Sequence, residues 1–300
     1  MELHQLGANT WYVPGRVNIG YYEEGGKGYL IDTGLDDDQG RRLLRLLGER
    51  RGLPLRAIIN THSNADHIGG NAFIQKRTGC EIWTTRVEGA LTDCPTLEPL
   101  FLWGAFPFPQ IRDKFIEAKP SRTQAIANSG PIKDTKLTAY PLPGHFLDMI
   151  GVRTPDDVLF LGDALFDPKV LSKYRFMVIV DVVRHHETLN RLENERANWY
   201  VPCHAAPARD VRELVRLNRE AVSALTGSVF EALEEGPLSR EDILARLALD
   251  WGVEMDPAYL LLNLMSVGAH LSALAEWGKV EPRVEQARLL WAQVREKERE

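Results

Sequence analysis

The stretch His62-Ser63-Asn64-Ala65-Asp66-His67 comes two residues after the apolar run Ala57-Ile58-Ile59, which is typical of a buried β-strand. Histidine nitrogens and carboxylate oxygens are side-chain atoms that bind zinc in proteins. If residues 63–65 are extended, the side chains at 62, 64 and 66 point the same way, so one short loop supplies several ligands. The stretch therefore predicts a metal site, and its candidate ligands are His62, Asn64, Asp66 and His67.

Three more candidate ligands stand where other predicted strands end. They are His145 after the run at 137–142, Asp163 after the run at 158–161, and His204 after the run at 199–203. The strand ends of an open α/β layer are where ligand sites tend to form. We therefore expect these three side chains to join the 62–67 segment in one site.

In these residues the chain resembles the metallo-β-lactamase superfamily. The family signature runs through Asp-Thr-Gly, His-x-His-x-Asp-His, Gly-His, Gly-Asp and a final histidine. The matches, in order over about residues 10–206, are Asp32, the 62–67 segment, His145, Asp163 and His204. The resemblance is specific for the fold and says little about the substrate. It implies an αββα sandwich that carries out metal-dependent hydrolysis.

The resemblance also implies a role for each matched residue. One metal takes His62, the residue at 64 and His145, the other takes Asp66, His67 and His204, and Asp163 bridges them. Asp32 is expected to orient its neighbours rather than to bind metal. Asp66 is also the predicted catalytic residue. Two metals that lie a few ångströms apart can hold a hydroxide between them, and this hydroxide is the expected nucleophile.

The chain departs from the family pattern at Asn64, where the signature has histidine. An amide oxygen is a weaker zinc ligand than imidazole and suits harder cations. Zinc is the expected metal, as one or two ions, with iron or manganese as alternatives. Three arrangements stay open: a metal pair with Asn64 as a weak ligand; a single metal on Asp66, His67 and His204, as in the mononuclear carbapenem-degrading subclass; or a single iron on His62, His145 and Asp163, similar to the superfamily's persulfide dioxygenases.

The order of predicted elements indicates an α/β fold with two domains. Strands alternate with helices over residues 1–206, the catalytic domain, and a further strand is expected over 177–183. An insertion at about 93–129, rich in proline and aromatic residues, breaks the pattern and is expected to be an irregular lid. Residues 207–300 predict a helical, winged-helix-like domain. Its expected elements are a helix after the capping box at 239–242, a helix over 257–276, a short strand after 277–279 and a charged terminal helix from about Val284.

Composition and charge narrow the partners and the compartment. The chain has 300 residues, of which 44% are hydrophobic and 26% charged, as in a soluble globular protein. No stretch approaches the roughly 20 apolar residues of a membrane helix, and the first 20 residues do not read as a signal peptide. Three cysteines without paired zinc spacing fit a reducing compartment, so the cytoplasm is the expected location.

The net charge is −6, and from Ala206 onward 12 Lys/Arg stand against 17 Asp/Glu, a net charge of −5. A nucleic-acid partner is disfavoured because the charge has the wrong sign. The expected partner is a small-molecule substrate, for which the basic residues Arg112, Lys114, Lys119 and Arg122 of the insertion suggest an anion. The carboxy-terminal domain is expected to close the cleft or to form a homodimer.

The main functional hypothesis is a hydrolase that uses metal-bound hydroxide on an ester, thioester or lactone. A mononuclear non-haem iron enzyme of thiol or persulfide oxidation is the first alternative. A nuclease-like phosphodiesterase and a non-catalytic regulatory protein on the same fold are the others, since the fold alone does not fix the chemistry.

Overall fold

The computed structural model describes residues 1–294 of the chain. Within these residues the strands are β1 (His4–Gln5), β2 (Thr10–Val13), β3 (Ile19–Glu24), β4 (Lys27–Ile31), β5 (Leu55–Ile59), β6 (Glu81–Thr85), β7 (Gln124–Ile126), β8 (Gly130–Pro131), β9 (Thr138–Pro141), β10 (Ile150–Arg153), β11 (Val158–Phe166), β12 (Trp199–His204), β13 (Val280–Glu285) and β14 (Arg288–Gln293). The α-helices are α1 (Asp37–Arg50), α2 (Ala65–Ile68), α3 (Asn71–Thr78), α4 (Arg86–Asp93), α5 (Leu97–Trp103), α6 (Pro168–Lys173), α7 (Val182–Asn194), α8 (Arg212–Glu231), α9 (Arg240–Trp251) and α10 (Pro257–Glu276).

Two sheets form the centre of the first 206 residues. The first sheet runs in chain order from β1 to β7, and the second has the order β12-β11-β10-β9-β8. From β4 to β7 the neighbouring strands are parallel, as are β11 and β12, and the remaining pairs are antiparallel. Parallel neighbours bring their carboxyl ends to one edge of a sheet, which is where the candidate ligands are expected.

Alternating side chains explain why the two sheets stack. On β4, Tyr29 and Ile31 join a core that also holds Val152 and Phe160 of the second sheet, whereas Leu30 faces the opposite way. Leu30 packs with apolar residues of α1 and α3, which cover the outer face of the first sheet. The outer face of the second sheet packs against α7 and α8. The layers are therefore helix, sheet, sheet, helix, as the sequence predicted.

Several helix boundaries match their sequence signals. The Asp36 side chain accepts a hydrogen bond from the Gln39 amide and begins α1. At the start of α9, Ser239 and Asp242 form the predicted capping box. The helix predicted over 257–276 is present with those bounds as α10.

The carboxy-terminal region contains α8, α9 and α10 followed by the hairpin of β13 and β14. The charged helix predicted from Val284 is wrong, because Val284 lies in β13 opposite Leu289. Gln286 and Ala287 both have positive φ angles, 49° and 60°, which a two-residue hairpin turn requires and a helix forbids. The rest of the predicted helix, residues 295–300, lies outside the described residues.

Two further predictions need correction. The 93–129 insertion is not irregular throughout, because it forms α5, a 3₁₀ turn at Pro109–Ile111 and β7, the edge strand of the first sheet. The strand expected over 177–183 is absent, since this segment is irregular up to the start of α7 at Val182. The 177–183 segment begins beside the cleft described below, where a loop does not have to pair with a strand.

The helix α10 is an exception to the prediction that no stretch of the chain is as long and apolar as a membrane helix. By length and composition it is the one described helix that could cross a membrane, yet 56% of its apolar window is buried inside the protein. Leu264, Val267 and Leu271 of α10 lie in the core shared with α8 and α9. Its apolar character is accounted for by this central position.

Candidate metal centre

The candidate ligands reach one place from four parts of the chain. His62 and Asn64 lie in the turn after β5, and Asp66 and His67 lie on the short helix α2. His145 follows β9, Asp163 lies within β11, and His204 is the last residue of β12. All of them border the two sheets at one end, as expected for an open α/β layer.

Three compact groups of potential ligand atoms result, the atoms of each lying within 4.8 Å of one another, and one group is Asp32, His67 and Cys203. The other two contain the predicted metal ligands and are called the two sets below. One set is His62, His145 and Asp163, and the other is Asp66, His67 and His204. Asp163 connects the sets, because its Oδ1 is 3.2 Å from His67 Nε2 while its Oδ2 is 3.1 Å from His204 Nε2. The same Oδ2 is 3.7 Å from His145 Nε2. The geometry therefore places Asp163 between two candidate metal positions.

Local backbone structure differs from the expectation at two of these residues. The chain is extended only to Asn64, and the helical turn that begins at Ala65 carries Asp66 and His67. Asp163 does not end its strand, since β11 continues to Phe166 with irregular pairing around Gly162. Gly162 has a φ of 54°, and this bulge is a local feature that strand periodicity does not predict.

Hydrogen bonds fix the ring nitrogen that His62 presents. The Thr61 hydroxyl donates its single hydrogen to Asp32 Oδ2 at 2.8 Å. Its oxygen can then only accept the hydrogen bond from His62 Nδ1, 3.0 Å away. His62 Nε2 is therefore left without a proton, and this atom is buried and has no hydrogen-bond partner among the described residues. A buried, unpartnered lone pair of this kind fits a metal ligand.

His67 is oriented by a buried carboxylate in the same manner. Its Nδ1 donates to Asp32 Oδ2 at 2.9 Å, so its Nε2 faces Asp163. Asp32 has a φ of 62° and also accepts the Thr61 amide, which ties it to the turn after β5. Metal-binding histidines usually donate their second nitrogen to such a group. Asp32 thus has the geometry expected of an orienting residue.

The charges of the centre favour a bound cation. Asp32, Asp66 and Asp163 lie side by side, and none of them contacts a Lys or Arg within residues 1–294. Burial opposes a charged His204, but Asp163 and Asp66 outweigh it and raise the pKa of His204 to about 10. Burial likewise opposes a charged His67, yet Asp163 raises its pKa well above the usual range. A divalent cation would supply the positive charge that these carboxylates otherwise draw from protons.

Asn64 has a partner that the sequence did not indicate. Its Nδ2 donates to Glu98 Oε1 at 2.8 Å, and its Oδ1 then faces His145 Nε2 at 3.2 Å. Burial raises the pKa of Glu98 well above its usual range. Glu98 comes from α5 in the insertion, 34 residues further along the chain, and no spacing rule links the two positions.

Glu88 is a second functional-site residue that the sequence analysis missed. Its Oε2 accepts hydrogen bonds from the Ser63 amide and hydroxyl, at 3.0 and 2.7 Å. Its Oε1 accepts from the Asp148 amide at 2.7 Å. This fully buried carboxylate joins the turn at Ser63 to the loop that carries His145. A lone glutamate in the amphipathic helix α4 gave no signal of that role.

Two other sequence expectations concern side chains beside the centre. Cys203 is buried, and its thiol lies 3.8 Å from Asp32 Oδ2 in a compact group with Asp32 and His67. Burial raises its pKa to about 12, which disfavours the thiolate needed for metal binding. The basic residues of the insertion do not form a free positive rim, because three of them are paired: Arg112 with Glu117, Lys114 with Asp36 and Lys119 with Asp37.

Known proteins agree with this architecture. The family model described as metallo-beta-lactamase superfamily matches residues 12–204. A beta-lactamase domain protein from Burkholderia ambifaria is similar in structure with a TM-score of 0.74 and 18% identity, covering 98% of this chain and 94% of that chain. A metallo-beta-lactamase family protein from Thermus thermophilus gives 0.71 and 18%, covering 97% and 100%. A metallo-beta-lactamase from Pontibacter korlensis gives 0.54 and 19%, covering 74% and 98%.

No curated protein sequence matches the chain significantly. At these identities the solved structures show the fold alone, and the first two share it over nearly the whole chain, including the carboxy-terminal helices. The family match covers well over half of the sequence and includes every candidate ligand. The chain therefore belongs to the metallo-beta-lactamase superfamily.

Proposed function

We propose that the protein is a metal-dependent hydrolase that acts on an ester, thioester or lactone. The observation that carries the proposal is the position of Asp163 between two histidine-containing sets. Divalent ions held there, with zinc as the expected metal, would polarise a carbonyl oxygen and acidify a water molecule. His62 and His67 would hold the ions with ring nitrogens already oriented by Thr61 and Asp32, so little reorganisation is needed.

Asp66 is our candidate for the catalytic residue of the chain itself. Its side chain is 28% exposed and lines the cleft, whereas that of Asp163 is only 6% exposed. Asp66 Oδ2 is 3.5 Å from His204 Nε2 and its Oδ1 is 3.8 Å from His67 Nε2, so the carboxylate lies beside both histidines at the edge of the cleft. This placement suits a carboxylate that orients the attacking water or accepts its proton.

One observation favours a second candidate function. Like the set of Asp66, His67 and His204, the set of His62, His145 and Asp163 contains two histidines and one carboxylate. Such a set with open positions is the geometry of non-haem iron enzymes, and the weak ligand Asn64 beside it would leave room for an oxidisable thiol substrate. A thiol or persulfide dioxygenase is therefore the alternative proposal.

Metal analysis of the protein as purified, combined with assays on a panel of esters, thioesters and lactones, tests both proposals. We expect about two zinc ions per chain and hydrolysis that a chelator abolishes. Asp163→Asn should lower the metal content and the activity together. Asp210→Asn, at a surface position paired with Arg212, is the matched control and should change neither. One iron per chain with oxygen consumption would support the alternative, and absence of bound metal after growth with zinc, iron or manganese would overturn both.

The cytoplasmic location stays a prediction. Cys80, Cys94 and Cys203 are free, and Cys80 and Cys203 are buried in separate places. Free thiols are the expected state in a reducing compartment. A nuclease-like activity finds no support in the charge of the carboxy-terminal region.

A further inference from the structure

A large cleft opens beside the candidate metal centre, with a volume of about 840 Å³. Asn64, Asp66, His145, Asp163 and His204 are part of its lining. Small-molecule sites commonly span roughly 300–1,000 Å³, so this cleft is at the upper end of that range. The centre needs space only for a carbonyl group and water, which leaves most of the volume for the rest of a substrate.

The remaining wall of the cleft is largely apolar and comes from three separate segments. Ile116 belongs to the insertion, Phe166 and Val170 follow Asp163, and Tyr259 and Leu262 lie on α10. Contact between apolar side chains and water is unfavourable. These side chains therefore favour a ligand whose methylene groups cover them. The wall therefore fits an extended hydrocarbon chain, and the carboxy-terminal region supplies part of it.

Three cations line the same cleft. Arg16, Lys169 and Lys173 are exposed, and none of them forms an ion pair within residues 1–294. Arg16 lies over the ring of Phe115 at 5.4 Å, and Lys173 over the ring of Tyr174 at 4.7 Å. These contacts hold the cations beside apolar surface without neutralising them.

The acidic residues of the cleft do not cancel these cations. Asp66 and Asp163 belong to the candidate metal centre, and Glu98 accepts a hydrogen bond from Asn64. The Asp167 carboxylate accepts the backbone amide of Lys169 at the start of α6 and remains an anion, so it offsets only one of the three cations. The cleft thus combines the candidate metal centre, an apolar wall and three cations that have no ion pair among the described residues.

We infer that the substrate is an anionic amphiphile: an acyl ester or thioester with a long apolar acyl chain and a negatively charged, for example phosphorylated, alcohol or thiol portion. The inference rests on the proposed hydrolase function. Water adds to the carbonyl carbon and the bond from that carbon to sulfur or oxygen breaks. The products are a fatty carboxylate, the free thiol or alcohol, and one proton.

Binding of ligands that cannot be hydrolysed tests this inference apart from catalysis. The probes are the S-dodecyl and S-butyl thioethers of coenzyme A and the S-dodecyl thioether of N-acetylcysteamine, measured by calorimetry on the full chain. Each buried methylene group strengthens binding about fourfold, so we expect S-dodecyl coenzyme A to bind more than roughly 100-fold tighter than the S-butyl probe. It should also bind at least about tenfold tighter than the uncharged dodecyl probe at low salt, and added salt should reduce that preference.

Two variants assign the effect to the named residues. Replacing Arg16, Lys169 and Lys173 together by Gln should reduce the preference for the charged probe to less than about threefold. The matched control replaces the paired cations Arg112, Lys114 and Lys119 by Gln, and it should keep the preference. Phe115→Ala, at a half-exposed position in the cleft, should weaken the dodecyl probes several-fold and leave the S-butyl probe unchanged.

Equal affinity of the dodecyl and butyl probes, or of the charged and uncharged dodecyl probes, would overturn the inference. So would a Gln triple variant that retains the full charge preference. The proposed hydrolase function has a separate readout, because thioether binding requires no hydrolysis. Hydrolysis of short neutral esters without thioether binding overturns only this inference, and binding without any hydrolysis overturns only the proposed function.

Discussion

Asn64 determines which type of ligand atom position 64 can offer to a metal at the candidate centre. Glu98 accepts its amide hydrogen, so the side chain turns its oxygen toward His145. The first ligand set therefore has an amide oxygen where the family pattern has an imidazole nitrogen. Because this oxygen is neutral and hard, we expect zinc to bind more weakly at this set than at the set of Asp66, His67 and His204.

Asn64→His should restore the family pattern and strengthen the first set. We expect the weaker-bound zinc ion to gain at least about tenfold in affinity, since imidazole is the better zinc ligand. Competition with a chromophoric zinc chelator measures the affinity of each ion. Unchanged affinity and stoichiometry would show that position 64 is not a ligand.

Glu98→Ala should have the opposite effect through the orientation of Asn64. Without the carboxylate, the amide can rotate and its oxygen no longer faces His145, so we expect roughly a tenfold loss of zinc affinity at the first set. Glu98→Gln is the matched control, because its amide oxygen can still accept the Asn64 hydrogen bond. If the alanine and glutamine variants bind zinc alike, Glu98 has no orienting role.

Individual elements place the ligands with backbone features that only some residue types allow. Gly144, which precedes His145, has a φ of 124°, and a Cβ built there would lie 2.4 Å from the backbone of His185 in α7. The close approach of α7 requires glycine, and the amides of Val180 and Asp181 donate to the Gly144 carbonyl. The Gly-His part of the sequence pattern thus has a steric cause.

Gly144→Ala should therefore disturb both folding and the metal centre. We expect a loss of more than about 2 kcal/mol in the free energy of unfolding, together with weaker zinc binding, because His145 must move with the backbone. Gly130→Ala separates the two causes, since Gly130 also has a positive φ, 91°, but nothing lies within 4 Å of the built Cβ. Equal losses in the two variants, measured by urea denaturation, would remove the steric argument.

The contact between α8 and α10 contains a histidine that is held neutral. The Thr226 hydroxyl donates to the Val222 carbonyl, so its oxygen accepts a hydrogen bond from His270 Nδ1 at 2.8 Å. His270 Nε2 is buried without a partner among the described residues. Burial, with a smaller effect from His186, lowers the pKa of His270 to about 3.

This histidine should make the fold sensitive to acid. The unfolded chain protonates His270 near pH 6.5, whereas the folded protein does not until about pH 3, so stability is fully present above pH 6.5 and falls as the pH drops. His270→Asn keeps the donor to Thr226 and should remove a slope of up to about 1.4 kcal/mol per pH unit between roughly pH 6 and 4. His4→Asn, at an exposed position, should leave the slope of the urea-unfolding free energy against pH unchanged. Identical slopes for wild type and His270→Asn would contradict the assignment.

Over the full described chain, the carboxy-terminal helices share a core with the first 206 residues. Ile111 and Phe176 are buried in the same apolar cluster as residues of α8, α9 and α10, and the ring of Phe176 is 4.8 Å from that of Trp251. Tyr259 and Leu262 of α10 also line the cleft. The domain boundary predicted at residue 206 is therefore crossed by core contacts, and we expect the two parts to unfold together.

Phe176→Ala should lower the free energy of unfolding by about 3–5 kcal/mol, because it leaves a cavity where the two parts meet. Phe106→Ala, at a position that is 72% exposed, is the control and should change it by less than about 0.5 kcal/mol. Unfolding of the wild type, followed by tryptophan fluorescence and by circular dichroism, should give one coincident transition. Two separate transitions would show that the parts fold independently.

Local sequence signals predicted the alternation of strands and helices, the starts of α1 and α9 and the bounds of α10, whereas the αββα arrangement and the joined ligand sets were expected from the resemblance to the superfamily. Apolar periodicity, capping residues and the 62–67 segment are such signals, and a shared fold brings matched strand ends together. The short strand expected after 277–279 is present as β13, but its partner β14 was missed because the turn between them needs positive φ angles at Gln286 and Ala287, which are not glycines. The prediction of a strand over 177–183 is wrong, because apolar residues can be buried without pairing in a sheet.

Tertiary packing decides which residues contact Asn64, how the basic residues of the insertion are paired and which side chains line the cleft. Glu98 reaches Asn64 from 34 residues away, and Lys114 reaches Asp36 from 78 residues away. Arg16, Lys169 and Lys173, which form no ion pair within residues 1–294, line the same cleft although a long stretch of chain separates the first from the other two. Contacts of this kind depend on how the layers pack against each other. The local sequence does not predict them, because the same residues could pair with other neighbours in a different packing.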